Sequence, residues 1–158
     1  MRKCKPACVA ALLAGALWGA GGCARPRPPA VAGALPEGVE AFLAAHPLAA
    51  GQPLRADEVG RTPAASWHVV QVATAEAPHR HRLHDLAVVV LRGQGILTLD
   101  GRSIPLRAGD AALVARGRVH WFARGGRDTA VTLAVFTPPL DAPDFVPEPE
   151  VDSNGGRR

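Results

Sequence analysis

Residues 78–95 read PHRHRLHDLAVVVLRGQG, in which two histidines two positions apart precede an apolar run and a turn flanked by glycines. Side chains at positions i and i+2 of a strand project from the same face, so His79 and His81 can present two imidazoles to one point. Neutral imidazole binds zinc, copper, iron and nickel, and a metal site needs at least a third protein ligand. The segment therefore predicts a strand with two candidate metal ligands, followed by a strand over residues 86–92.

The third candidate ligand is His120, in the apolar run of residues 119–122. A polar imidazole among apolar neighbours requires a polar partner if it is buried. A metal ion shared with the first two histidines would provide that partner.

Short β-rich runs separated by turn residues predict the rest of the fold. They cover residues 67–74, 86–92, 96–99, 102–107, 111–115, 119–123 and 129–137. Asp100-Gly101 predicts a type I′ hairpin, because both central positions of that turn need positive φ. Pro105 has no N–H to donate, so its strand should lie at an edge or carry a bulge. With one short helix over residues 37–45, the pattern predicts an all-β fold, a small antiparallel sandwich or barrel.

Residues 73–124 resemble the two sequence motifs of the cupin superfamily. The first motif is Gly, five residues, His-x-His, three or four residues, Glu, six residues and Gly, and it aligns with Ala73, His79, His81, Asp85 or Leu86, and Gly93. The second is Gly, five residues, Pro-x-Gly, two residues, His, three residues and Asn, and it aligns with Gly109, Ala115 to Gly117, His120 and Arg124. The resemblance implies a six- to eight-stranded jelly-roll barrel with the histidines inside its mouth.

The resemblance also implies a divalent transition metal, namely Zn, Fe, Mn, Ni or Cu, held by the three histidines. The motif's glutamate falls on Asp85 if the alignment is anchored at His81, which makes Asp85 the fourth candidate ligand; anchored at Gly93, it falls on Leu86. His84 is a competing ligand, or a residue that orients a ligand from behind.

An alternative interpretation of these histidines involves no metal. Arg80 and Arg82 alternate with the histidines as exposed residues would, so a solvated cluster is the alternative for His79, His81 and His84. His68, on a strand near the barrel, is interpreted as a structural histidine.

The first 22 residues predict an export signal, because three basic residues precede an apolar run over residues 7–20. That run is too short to cross a bilayer comfortably, which takes about 20 apolar residues. Ala20-Gly21-Gly22-Cys23 resembles the lipobox of bacterial lipoproteins, which implies an acylated Cys23 and a lipid anchor in the membrane. In a Gram-negative host the protein would face the periplasm or sit in the outer membrane. Cleavage by an ordinary signal peptidase is the alternative.

The predicted domain organisation follows from these segments. Residues 23–36 form a Pro-rich linker, residues 37–147 a single cupin domain, and residues 148–158 a disordered tail.

Charge and cysteine content exclude two classes of function. The chain has 158 residues with 18 Lys and Arg against 14 Asp and Glu; removal of Arg2, Lys3 and Lys5 with the signal leaves 15 against 14. This balance gives no basic surface for nucleic acid. The three cysteines, Cys4, Cys8 and Cys23, all precede the domain, which excludes a disulfide framework and cysteine redox chemistry.

Two functions stay open at this point. The first is a cell-envelope binding module that holds a metal and a small-molecule ligand. It is favoured because the chain has no tyrosine and no lysine after Lys5, and no Ser-His-Asp or paired-carboxylate pattern. The alternative is a metal-dependent cupin enzyme of dioxygenase, isomerase or lyase type.

The enzyme hypothesis assigns roles to four further side chains. His84 or Asp85 would carry the proton, and Arg92 or Arg124 would bind a substrate carboxylate. Many cupins pair through edge strands, so a homodimer is compatible with either function.

Overall fold

The computed structural model describes residues 38–142 and 144–149. In chain order the elements are helix α1 (Gly38–Ala45) and strands β1 (Leu54–Arg61), β2 (Ser66–Val72), β3 (His79–His81), β4 (Asp85–Arg92), β5 (Gln94–Leu99), β6 (Arg102–Arg107), β7 (Ala111–Val114), β8 (His120–Gly125), β9 (Ala130–Thr137) and β10 (Phe145–Pro147). The predicted signal, Cys23, the linker and most of the tail lie outside the described residues. Within those residues, no helix has the length and apolarity needed to cross a membrane.

Two five-stranded antiparallel sheets face each other. The first has the strand order β1-β2-β9-β4-β7 and the second the order β10-β3-β8-β5-β6. The core between them consists of inward-facing apolar side chains from both sheets, including Val72, Val90, Leu97, Val114 and Phe122. The prediction of a small all-β jelly-roll fold with one short helix is confirmed.

The seven β-rich runs all form strands, with ends that shift by at most two residues. Two strands were not predicted. β1 carries charged residues and lies at the edge of the first sheet, with a bulge between Glu58 and Gly60. β10 has only three residues and lies at the edge of the second sheet, paired with β3. β1 has no continuous apolar run and β10 has too few residues to show a pattern, so neither strand carries the signal that predicts the others.

The predicted hairpin and the predicted edge strand are both confirmed. Asp100 has φ 45° and Gly101 has φ 80°, as a type I′ turn requires. Pro105 lies on β6, which is the edge of the second sheet next to β5. No described strand lies beyond that edge, so the missing N–H of Pro105 interrupts no further strand pairing.

Helix α1 packs on the outer face of the first sheet. Leu43 is buried against Val69 and Val131, and Glu40 forms an ion pair with Arg92 at 2.8 Å. The helix therefore covers the face that points away from the second sheet, and it leaves the space between the sheets free for other side chains.

Gly95 on β5 is required by close packing across the second sheet. A Cβ atom at this position would overlap the ring of Phe122 and the carbonyl oxygen of Ala123. We expect Gly95→Ala to lower the free energy of unfolding by about 1–3 kcal/mol, as overpacked core positions do. The measurement is urea unfolding. Gly125→Ala is the control, since its Cβ would meet Gly95 Cα at an ordinary 3.4 Å, and equal midpoints for the two variants would contradict the prediction.

Candidate metal centre

Strands β3 and β8 bring three histidines together. His79 lies directly opposite His120 in the antiparallel register, and His81 follows two residues later on the same face of β3. One ring nitrogen from each lies within 4.8 Å of the others. The three residues are 4%, 7% and 2% exposed in sequence order, so they form a buried cluster between the sheets.

Main-chain carbonyls fix two of the rings. Nδ1 of His79 is 2.8 Å from the Ala77 oxygen, and Nδ1 of His120 is 3.0 Å from the Arg118 oxygen. A carbonyl oxygen only accepts, so each Nδ1 carries the hydrogen and each Nε2 keeps a free lone pair. This is the arrangement in which a main-chain acceptor orients a metal-binding imidazole.

Two nitrogens of the cluster are buried without a partner among the described residues. They are His81 Nδ1 and His120 Nε2. A buried polar atom left without a hydrogen bond costs about 1–3 kcal/mol, and a bound cation would remove that cost. The cluster therefore fits a metal ion of the kind that imidazole ligands select.

The cluster is also in the protonation state that metal binding needs. Burial is the main cause that lowers the pKa of His79 and of His81 to about 4, and the neighbouring rings contribute a smaller part of that shift. Burial lowers the pKa of His120 as well. All three rings are thus neutral at pH 7, and their lone pairs are available to a cation.

Asp85 lies apart from the three histidines. Its carboxylate forms an ion pair with Arg116, with Oδ2 2.7 Å from Nη2, and this contact lowers the pKa of Asp85 to about 2. Alternation along β4 explains the placement: Leu86 is buried in the core, so the neighbouring Asp85 faces outward. Leu86, the other position that aligns with the motif's glutamate, offers no ligand atom.

His84 forms its polar contacts with residues outside the three-histidine cluster. Its Nδ1 lies 2.7 Å from Oδ2 of Asp144, and its Nε2 lies 3.2 Å from the oxygen of Pro139. Asp144 also accepts a hydrogen bond from the main-chain N–H of Leu83. His84 therefore ties the end of β3 to the segment that leads into β10, and both of its nitrogens already face protein acceptors.

Strand β10 forms one wall of the site. Phe145 stacks on the ring of His79 with centroids 4.3 Å apart, and the main-chain N–H of Glu148 donates to the oxygen of Pro78 at 2.9 Å. An ion pair between Arg80 and Glu148 holds the same two strands together. The strand therefore covers one side of His79 at the edge of the second sheet.

A cavity of about 340 Å³ opens beside His79 and His81. Its walls are mainly apolar, and they include Val70 and Phe136. Glu76, which the sequence analysis did not single out, also lines it. Glu76 Oε2 accepts a hydrogen bond from the main-chain N–H of Phe122 at 2.8 Å, and burial raises the pKa of Glu76 to about 7.

The remaining candidate residues, His68, Arg92 and Arg124, lie outside the three-histidine cluster. His68 also lines the cavity, but its Nε2 is 3.0 Å from Ser66 Oγ, in keeping with a structural role. Arg92 pairs with Glu40, and Arg124 donates to the oxygen of Gly126. Neither arginine forms a hydrogen bond or an ion pair with the histidine cluster among the described side chains.

Comparisons with known proteins agree with this architecture. The family model described as "Cupin domain" matches residues 66–136, which span β2 to β9. An uncharacterized protein of Aquifex aeolicus (strain VF5) is 39% identical over 89 residues, covering 56% of this chain and 73% of that protein.

Solved structures share the fold. KdgF from Halomonas sp. is 25% identical, with a TM-score of 0.53 and coverage of 56% of this chain and 82% of its own. A protein from Klebsiella pneumoniae with a double-stranded β-helix domain is 20% identical, with a TM-score of 0.56 and coverage of 63% and 88%.

The site's ionisable groups act on stability in opposite directions. In the metal-free protein, His79 and His81 have a pKa of about 4, against 6.5 in the unfolded chain. Between these pH values the unfolded chain binds more protons, so both residues lower the free energy of unfolding as the pH falls towards 4. Glu76 keeps its proton up to about pH 7 when folded, against an ordinary pKa of 4.5, so it raises that free energy as the pH falls.

We therefore expect metal-free Glu76→Gln to lose stability more steeply than the wild type between pH 7 and pH 4.5. The slopes should differ by up to about 1.4 kcal/mol per pH unit, the value for one proton. Urea unfolding across this range, with metal removed by a chelator, measures both slopes. Parallel pH profiles would show that Glu76 is not protonated in the folded protein at these pH values.

Proposed function

Because this chain belongs to the cupin superfamily, we propose that His79, His81 and His120 bind one divalent transition metal ion, either Zn, Fe, Mn, Ni or Cu. The observation that carries the proposal is a pair of buried nitrogens, on His81 and His120, that have no hydrogen-bond partner in the part of the chain that the structure describes. Three neutral imidazoles held by two adjacent strands form a ligand set suited to these metals.

The function supported best is that of a cell-envelope binding module. Three protein ligands leave coordination positions for a small molecule, and a bound metal would supply a Lewis acid that polarises an oxygen of that molecule. The cavity beside His79 and His81 gives such a molecule room. The predicted export signal and the lipobox-like sequence at Cys23 support the cellular location that we propose, an exported lipoprotein anchored in the membrane.

A metal-dependent enzyme is the second candidate, and Glu76 favours it. A carboxyl group with a pKa near 7 can accept or release a proton at neutral pH, which is the property of a general acid or base. Glu76 lines the same cavity as two of the histidines. A substrate in that cavity would therefore lie beside both a proton carrier and the metal ligands.

Metal content tests the proposal directly. We expect the full chain, purified without an affinity tag, to bind close to one metal ion per chain. His81→Gln and His120→Gln should each reduce the metal content at least about 10-fold, because each removes one of three ligands. The measurement is elemental analysis after equilibration with each candidate metal in turn.

His46→Gln is the matched control for this experiment. His46 stacks on Phe42 beside α1 and does not belong to the cluster. Its variant should keep the wild-type metal content. A wild-type protein that takes up none of the candidate metals would overturn the proposed function.

Acylation of Cys23 is tested separately. In a Gram-negative host, we expect the wild-type protein to incorporate labelled palmitate and to sediment with membranes. Cys23→Ser should lose the label, because no thiol remains to be acylated. Cys8→Ser, within the apolar part of the signal, is the control that should keep the label. Equal labelling of the two variants would rule out Cys23 as the modified residue.

A further inference from the structure

The cavity beside the histidines has a lining that restricts which molecules it can hold. Its volume of about 340 Å³ lies near the lower end of the range for ligand pockets, roughly 300–1,000 Å³. Leu54, Val70 and Leu140 provide aliphatic walls. Such a lining fits a small molecule that is apolar over most of its surface.

Flat aromatic groups form a second part of the wall. Phe136 and Phe145 line the cavity together with the rings of His79 and His81. Phe136 meets His81 edge to face, with centroids 4.9 Å apart, and Phe145 stacks on His79. Faces and edges of this kind favour contact with another planar ring.

Glu76 places one hydrogen-bond acceptor in this apolar lining. Its main-chain N–H donates to the oxygen of Phe122, and its Oε2 accepts from the N–H of the same residue. The carboxyl group is thus held at one position by β8. No described residue donates a hydrogen bond to its second oxygen, Oε1, so that oxygen is left for a ligand.

We propose that this cavity binds a small planar molecule that directs an oxygen towards the histidine-bound metal and a hydroxyl or amino group towards Oε1 of Glu76. The inference rests on the proposed metal site, because the metal provides one of the two polar anchors. It goes further in assigning Glu76 as the residue that selects ligands with a hydrogen-bond donor.

A matched set of probes tests this assignment. Benzoate has a planar ring and a metal-binding carboxylate, and 3-hydroxybenzoate and 4-hydroxybenzoate add one hydroxyl group at two different positions. Affinities for the metal-loaded full chain are measured at pH 8 by isothermal titration calorimetry, with metal content determined on the same samples. At this pH the carboxyl of Glu76 is mostly ionised.

We expect at least one hydroxybenzoate to bind the wild type about 10-fold or more tightly than benzoate, the effect of a hydrogen bond to a charged group. In Glu76→Gln the amide oxygen can keep the bond to the Phe122 N–H, while the amide nitrogen takes the place of Oε1 and donates instead of accepting. The hydroxyl's advantage should therefore become smaller, because the phenol oxygen can at most accept a neutral hydrogen bond from the amide nitrogen, whereas the affinity for benzoate should change less than about twofold.

A second pair of variants tests the cavity without altering Glu76. Ala56 lines the cavity on β1, so Ala56→Phe should fill part of it and weaken all three probes while metal content stays unchanged. Ala64→Phe, at an exposed turn outside the cavity, should leave every affinity as in the wild type.

The outcomes separate this inference from the proposed function. Full metal content with no advantage for either hydroxybenzoate, or with probe binding unaffected by Ala56→Phe, would overturn the inference and leave the metal site standing. A wild-type protein without metal would overturn both. A smaller advantage of the hydroxyl in Glu76→Gln alone, at full metal content, supports the assignment.

Discussion

Three polar rings share the space between two β-sheets, and each of their nitrogens requires a partner there. Moving such a group from water into an apolar interior without a hydrogen bond costs several kcal/mol. Carbonyl oxygens of Ala77 and Arg118 satisfy one nitrogen each on His79 and His120. The position of β3 depends on contacts outside its pairing with β8, because a single residue pair joins these two strands. Glu76 on one side and β10 on the other hold β3 in place.

Features governed by local rules could be predicted from the sequence. His79 and His81 share a face because of strand alternation, and Asp100-Gly101 turns the chain because of its backbone requirement. Pro105 lies at an edge because it lacks a donor. The apolar run around His120 indicates that this residue needs a buried polar partner, and its place in the second motif assigns it to the other two histidines. Nothing in its immediate neighbourhood indicates which residues lie across the sheet.

Features that depend on distant segments could not be predicted in the same way. Spacing alone leaves Asp85 near the histidines, but the alternation of β4 turns it outward to Arg116. Glu76 acquires its altered pKa only through burial against β8, which begins 44 residues later in the sequence. The one local sign of Glu76 is an isolated acidic residue in Ala73-Thr74-Ala75-Glu76-Ala77, where its neighbours are small. β10 contributes too few residues to show a pattern.

The three histidines and the strand that covers one of them come from different parts of the chain. The histidines lie between residues 79 and 120, whereas Asp144 follows His84 by 60 residues and Phe145 lies on the last strand. Phe145 stacks on His79, and the contacts of Asp144 with His84 and of Glu148 with Arg80 hold this segment against β3. A proteolytic cut between β9 and β10 would therefore detach the side wall of the site while every histidine of the cluster stays in the body of the fold.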